Sequence, residues 1–180
     1  RPVKVTINRE EVFLDGRPAP GCWVRLKTGA KKDGTLLAIE GEIVWDGGAE
    51  GRGGNASRLL NLYNVPNVRL EAYSVRTNKP LPGAYRAPGA PQAAIPRESN
   101  LDMLAHKLGM DPVEIRLKNA VRKGERSGMD HDWLRNTILS AAEKARWGKR
   151  RLKKNQGMGI ACGEWQNGSG PVTADITMRG

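Results

Sequence analysis

Between residues 77 and 92 the chain reads Thr77-Asn78-Lys79-Pro80-Leu81-Pro82-Gly83-Ala84-Tyr85-Arg86-Ala87-Pro88-Gly89-Ala90-Pro91-Gln92, and no other stretch limits the fold as strongly. Proline has no backbone N–H and fixes φ, so neither a sheet ladder nor a helix interior passes through such a run. The segment before it alternates with period 2: in residues 68–76, Val68, Leu70, Ala72 and Ser74 oppose Arg69, Glu71 and Tyr73. On its other side, residues 92–108 place Leu101, Leu104, Ala105 and Leu108 at i, i+3, i+4 and i+7, the apolar stripe of a core-facing helix. Pro96 starts or kinks a segment within it. A strand, a Gly/Pro loop and a helix start can hold an anion, because glycine admits close approach and the first helical N–H groups lack partners. Arg86 adds a planar fork of donors to residues 83–92. The same composition also suits a plain connector.

The rest of the chain sorts into sheet before the loop and helices after it. Residues 2–8 alternate Val3, Val5 and Ile7 with Lys4 and Thr6 and read as a half-buried strand. Asn8 caps a helical turn over 8–14 with Glu10 and Glu11 in its first turn, and Asp15-Gly16 ends it. Residues 22–27 and 34–45 read as a hairpin joined at Lys31-Lys32-Asp33-Gly34, since Asp-Gly favours a tight turn. Leu37, Ile39, Gly41 and Ile43 share one face of its second strand, and Glu40 and Glu42 fall on the solvated one. Residues 46–64 are irregular, with a short helix from Asn55 or Ser57. After the central helix, Gly109 is a C′ glycine, and Asp111-Pro112 opens a helix carrying Val113, Ile115, Leu117 and Ala120 to about Val121. A polar loop at 123–130 precedes a helix over 133–147 with Leu134, Ile138, Ala141 and Ala145 on one face. Residues 157–162 and 172–178 read as the first strands of a second sheet, around a turn at 166–171. The class is therefore α+β, an antiparallel sheet with a following helical layer. Its divisions are a unit over 1–148, a basic connector at 149–156 and the start of a next subdomain at 157–180.

Composition narrows the function. Twenty-two glycines and 11 prolines in 180 residues exclude a coiled coil or plain bundle. No apolar run reaches the ~20 residues that span a bilayer, so no membrane role is expected. With no apolar leader at its start, the chain is assigned to the cytoplasm. Cys22 and Cys162 share no metal-ligand spacing and read as buried free thiols. The start at Arg1-Pro2-Val3, without Met, is expected of a piece of something longer. The net charge of +11 admits a basic nucleic-acid-binding module, but the basic residues are scattered and lack interleaved aromatics. Lys149-Arg150-Arg151-Leu152-Lys153-Lys154 reads first as a solvated linker, second as a subunit-docking segment and last as a nucleic-acid contact.

An ordered set of short phrases carries a family resemblance: Arg1-Pro2-Val3-Lys4, Lys32-Asp33-Gly34, Asp46-Gly47-Gly48-Ala49, Tyr63-Asn64-Val65-Pro66-Asn67, Arg76-Thr77-Asn78, residues 83–92, Glu98-Ser99, Leu108-Gly109-Met110-Asp111-Pro112, Arg116-Leu117-Lys118-Asn119-Ala120 and Gly159-Ile160-Ala161. In this order, over nearly its whole length, the chain resembles the large subunit of the molybdenum hydroxylases, the xanthine dehydrogenase, aldehyde oxidoreductase and CO dehydrogenase superfamily. The resemblance implies part of a molybdenum-cofactor-binding domain, within an oxidoreductase that hydroxylates an aldehyde or N-heterocycle carbon with water-derived oxygen. It implies molybdopterin as cofactor, in many bacterial relatives as the cytosine dinucleotide, with the metal held by dithiolene sulfurs rather than by protein side chains. Iron–sulfur and flavin groups belong on partner subunits or domains, and the expected partners are the remainder of the large subunit, iron–sulfur and FAD subunits and a small-molecule substrate. On the same ground Arg86 is carried over as a cofactor contact, with Tyr85, Ala87, Pro88 and Gly89 shaping the wall.

The departures bear on substrate. Relatives commonly carry Arg-Gly-aromatic-Gly where this chain has Arg86-Ala87-Pro88-Gly89, so Pro88 stands in place of an aromatic and a purine clamp is not expected. Neither Arg52 nor Arg58 has the spacing of the substrate arginine of xanthine-type relatives. The family's Gly-Phe-Gly-Gly segment would precede residue 1. Its general-base glutamate would lie after residue 180, so no catalytic residue is assigned here and the chain alone is expected to be inactive. A catalytically inactive scaffold of the same family is a further alternative. Glu98 reads as a capping or ion-pairing residue of the core helix rather than a catalytic acid, His106 and His131 as surface or packing histidines, and Glu164 and Asp175 as having no paired-acid logic.

Overall fold

The computed structural model describes residues 1–122, 132–165 and 177. Helix α1 (Arg9–Asp15) forms as its cap foretells: Asn8 and Glu11 bond each other's backbone N–H in a reciprocal capping box, and Gly16 ends the turn. Residues 2–8 are not a strand; they lie exposed without a ladder, Val3 at 85%. An alternating pattern supplies a face to bury, but a strand also needs an edge to pair with, and residues 2–8 pair with none of the three described strands.

Strands β1 (Cys22–Ala30) and β2 (Leu36–Asp46) form the expected antiparallel hairpin. Its turn is held by Asp33, whose carboxylate accepts the Thr35 N–H, and by Gly34 at φ +83°. A register shift opposite Gly29 and Ala30 pairs Ala30 with Leu36, skipping Leu37. This inverts the expected face at that point: Leu36 is 4% exposed and Leu37 is 37% exposed, whereas Ile39, Gly41 and Ile43 point inward as read. Strand β3 (Asn67–Val75) joins β2 in parallel, so the sheet is mixed, in the order β1-β2-β3. A parallel neighbour needs a crossover, which residues 47–66 provide, carrying the 3₁₀ turn Ser57–Leu59.

Helix α2 (Ala90–Leu108) packs on β1 and on the 3₁₀ turn, with Pro96 accommodated inside it. Gly109, at φ +65°, closes it, and Asp111 caps α3 (Pro112–Asn119) through the N–H groups of Val113 and Glu114. Helix α4 (Trp133–Ala145) uses Leu134, Ile138 and Ala142 inward, a strict i, i+4, i+8 row. Ala141 and Ala145, expected on that row, are exposed. One core cluster joins Leu36, Ile39, Leu62, Tyr63, Val65, Leu101, Val113, Ile138 and Cys162, and a second joins Ile43, Trp45, Ala56, Leu59 and Ala93. Asn119 stitches the hairpin to α3: its amide donates to the carbonyls of Gly34 and Ile115 and accepts the N–H of Leu36. Residues 157–162 form no strand but pack Ile160 and Cys162 against the first cluster. The loop read at 123–130, the turn at 166–171, His131 and Asp175 lie outside the described residues, as does all but Thr177 of the strand read over 172–178.

Candidate functional site

The loop after β3 is pinned at both ends. Thr77 and Lys79 bond the Asp46 carboxylate, and Thr77 N–H and Lys79 C=O pair with Gly48 and Ala49. These bonds, led by Lys79 and then Thr77, hold the Asp46 carboxyl down to about 2. Further on, the Gly83 N–H donates to Pro18 C=O. A Cβ at Gly83 would lie 2.6 Å from Cβ of Arg17, so only glycine lets the two segments touch there.

Between these pins and α2, Tyr85 and Arg86 stand exposed, Ala87 and Pro88 are half-buried and Gly89 is buried. Ala87 sits at φ +56° and Gly89 at φ +79°, so the chain turns twice through left-handed geometry before entering the helix. The Arg86 guanidinium makes no hydrogen bond or ion pair with any described residue. The expected row of free N–H groups at the helix start is thinner than the pattern suggests. Pro91 has none, and the Ala90 N–H is already bonded to Ala87 C=O. An anion here would be met chiefly by side chains.

Three side chains that the sequence did not assign surround the loop. The Trp45 ring comes to 3.5 Å of where a Gly89 Cβ would lie, and the Arg58 Cδ to 3.9 Å. Gln92, in the first turn of α2, donates to Pro20 C=O. Among the described residues the Trp45 Nε1, one Arg58 guanidinium nitrogen and the Gln92 carbonyl oxygen are each buried without a hydrogen-bond partner. Arg58 also stacks on Trp165, 4.8 Å from the ring centroid.

Behind this surface lies a buried ion cluster. The Glu98 carboxylate accepts from Arg97 Nε (3.0 Å), Arg116 Nε (2.9 Å), the Tyr63 hydroxyl and the Cys162 N–H. Arg97 in turn donates to the carbonyls of Arg58 and Cys162, and Arg116 reaches Asp102. Burial first, then the nearby Glu98 charge, pushes the Tyr63 hydroxyl far up, and the same causes raise the Cys162 thiol. Burial alone would lower Arg116, yet its bonds to Glu98 and Asp102 hold it above its ordinary value. Glu98 is thus an ion-pairing residue, as read; its burial and both of its arginine partners are features that the structure adds. The sequence signal was present: Arg97 falls in the row Ala93, Arg97, Leu101 and Ala105, all of them buried. Glu164 lies 3.7 Å from Arg97, His106 is exposed, and Cys22 is half-buried with its thiol raised by burial.

No cluster of three His, Cys, Asp or Glu able to hold a metal occurs among the described residues. Among the described residues, several basic side chains are paired with acids or buried. On the outer sheet surface Arg25 pairs with Glu42 and Arg69 with Glu71 and Glu40, while Arg97 and Arg116 are internal. No helix among the described residues is long and apolar enough to cross a membrane.

Residues 1–120 match the family model described as the molybdopterin cofactor-binding domain. The chain belongs to that family. It is 36% identical to an aldehyde oxidoreductase from Megalodesulfovibrio gigas over 97% of its own length and 21% of the relative's. It is 38% identical to the nicotinate dehydrogenase large molybdopterin subunit from Eubacterium barkeri, over 81% of the chain and 36% of that subunit. The crystal structure of quinoline 2-oxidoreductase from Pseudomonas putida 86 superposes with a TM-score of 0.65 at 30% identity, covering 78% of this chain and 20% of that one. The chain thus spans about a fifth to a third of the curated relatives named here.

The cofactor class is therefore molybdopterin, and the loop surroundings of this molybdopterin-binding domain suit it. Molybdopterin presents ring donors, ring acceptors and a flat face, and its side chain carries an anionic phosphate. The orphaned Trp45 and Arg58 donors and the orphaned Gln92 acceptor are groups of the kinds that would complement it.

Proposed function

We propose that the chain forms part of the large subunit of a molybdenum hydroxylase, and that residues 83–92 contact its cofactor. The observation that carries this reading is the unpaired, exposed Arg86, set between pinned ends and beside the left-handed Ala87 and Gly89. When bound, the molybdenum–pterin group supplies the redox chemistry that oxidises the substrate carbon. The chain's own part is binding and orientation. Arg86 donates to the cofactor's anionic or carbonyl oxygens, Tyr85 and Pro88 form a wall, and Ala87 and Gly89 keep the backbone low enough for close approach. The general base belongs to another part of the polypeptide.

The substrate is an aldehyde or an N-heterocycle, which is consistent with relatives named for aldehydes, nicotinate and quinoline. Pro88, standing where relatives place an aromatic, disfavours a purine clamp. The division into 1–148, 149–156 and 157–180 belongs to the same proposal, with the last segment leading into a neighbouring subdomain while Cys162 anchors it to this one. Partners would be the rest of the large subunit and iron–sulfur and FAD subunits, in the cytoplasm.

The test compares molybdenum and pterin content of the large subunit, purified from its own host, between wild type and Arg86→Ala. Stoichiometric metal in the wild type that becomes labile in the variant is the expected result. Full occupancy in both would refute the role of Arg86, and no metal in either would refute the enzyme reading.

A further inference from the structure

We propose that Asp46 is a positioning residue: with Trp45 before it and Gly48 after it, it fixes the course of residues 77–92 and thereby sets how long the cofactor stays bound. The inference rests on the cofactor-contact reading above and deepens it. The last two residues of β2 face opposite ways. Trp45, 1% exposed, points into the second core cluster, and its ring comes to 3.5 Å of where a Gly89 Cβ would lie. Asp46 points to the other face, where its carboxylate accepts from the Thr77 hydroxyl, the Lys79 ammonium and the Gly48 N–H. One strand end thus ties the beginning of the loop on one face and supports its end from the other.

The backbone repeats the tie. Gly47 N–H donates to the carbonyl of Val75, the last residue of β3, Thr77 N–H donates to Gly48 C=O, and Ala49 N–H donates to Lys79 C=O. Gly48 sits at φ +59°, and a Cβ there would lie 2.5 Å from the Pro80 carbonyl oxygen and 2.8 Å from Pro82 Cδ, so the loop runs directly over this glycine. Gly83 and Gln92 are bonded in turn to the carbonyls of Pro18 and Pro20. Between Gly83 and α2, residues 84–88 make no hydrogen bond with another segment among the described residues, and they include Tyr85, Arg86, Ala87 and Pro88. A loop already held in its bound course loses less freedom when a ligand arrives, and such preorganisation shows mainly as slower release. Asp46 acts on the ligand only through Thr77 and Lys79.

The test uses the intact, cofactor-loaded large subunit as wild type, Asp46→Ala, Lys79→Met, the two combined, Lys79→Arg and Arg86→Ala. Two quantities are read: backbone hydrogen exchange over residues 77–83, with the hairpin residues 23–30 as control, and the half-time of pterin and molybdenum release on dilution. Asp46→Ala and Lys79→Met should each speed exchange over 77–83 by about two- to tenfold, the range of one lost hydrogen bond, and shorten the release half-time by a similar factor. The hairpin should exchange as in the wild type, Lys79→Arg should restore both readouts, and the double variant should release less rapidly than the product of the two single effects. Lys79→Met, at an exposed side chain, stands in if Asp46→Ala does not fold. Unchanged exchange over 77–83, or faster exchange spread equally through the hairpin, overturns the proposal. Faster loop exchange with unaltered release, while Arg86→Ala does release cofactor, overturns the positioning role and leaves the loop as a cofactor contact. Unaltered release in both Asp46→Ala and Arg86→Ala refutes the cofactor-contact reading itself, and the proposal with it.

Discussion

Removing the Glu98 carboxylate should be the most damaging single change in the described fold. Glu98→Ala removes the acceptor that four donors share: Arg97 Nε, Arg116 Nε, the Tyr63 hydroxyl and the Cys162 N–H. Arg116 is 0% exposed and Arg97 4%, so water cannot replace the lost partner. Breaking a buried ion pair by deleting one member costs about 3–5 kcal/mol. Arg116 keeps Asp102 and Arg97 keeps two carbonyls, which places the expected loss within that range rather than at a multiple of it. Against a total of about 5–15 kcal/mol for a domain, the variant sits near the limit of folding. Urea denaturation of the chain, monitored by far-UV circular dichroism, reads the shift at unchanged m-value. Adding Arg116→Met to Glu98→Met should recover about 1–3 kcal/mol relative to the sum of the single changes, because the second change removes the orphaned cation. A loss below about 1 kcal/mol for Glu98→Ala, or additivity of the pair, would refute the view that this carboxylate neutralises two internal arginines.

Asn119→Ala leaves the buried N–H of Leu36 and the carbonyl of Gly34 without partners and should cost about 2–3 kcal/mol, read by the same unfolding assay. A change within 0.5 kcal/mol, taken as about the noise of a surface substitution, would count against the stitch between hairpin and α3. Asp46 gives a pH signature: with its carboxyl lowered from 3.8 to about 2, its bonds to Lys79 and Thr77 stabilise the fold above pH ~4 and are lost as pH falls through about 2. Asp46→Asn should therefore flatten the dependence of the urea midpoint over that window, leaving the slope due to Asp33, which is lowered to about 2 chiefly by its bond to the Thr35 backbone. An unchanged slope would mean that the Asp46 contacts do not persist in solution.

Local chemistry was legible wherever a few adjacent residues decide the outcome. Asn8 with Glu11, Asp33-Gly34, Gly109 and Asp111-Pro112 each close their own hydrogen bonds, and each appears where read. Features that depend on distant partners were not legible. The parallel pairing of β3, the register shift that turns Leu36 inward and the failure of residues 2–8 to find an edge are all set by pairing, which alternation does not encode. The candidate site divides the same way. Residues 83–89 announced themselves through glycine, proline and arginine, while Trp45, Arg58 and Trp165 come from three separate segments and meet only in the folded chain.

The ion cluster and the loop surface are one construction. Arg97 bonds the carbonyl of Arg58 with one nitrogen and the carbonyl of Cys162, three residues before Trp165, with another. The cation and the ring that stack beside Gly89 are therefore both placed by a single guanidinium, itself oriented by Glu98. A purely apolar core could bury as much surface at this point, and in general it would be no less stable. It could not set two backbone segments at fixed distances from the start of α2, because apolar contacts tolerate sliding and a bidentate fork does not. The buried charges at Arg97 and Glu98 thus serve geometry more than stability, fixing Arg58 and Trp165 around a loop whose own helix entrance offers few donors.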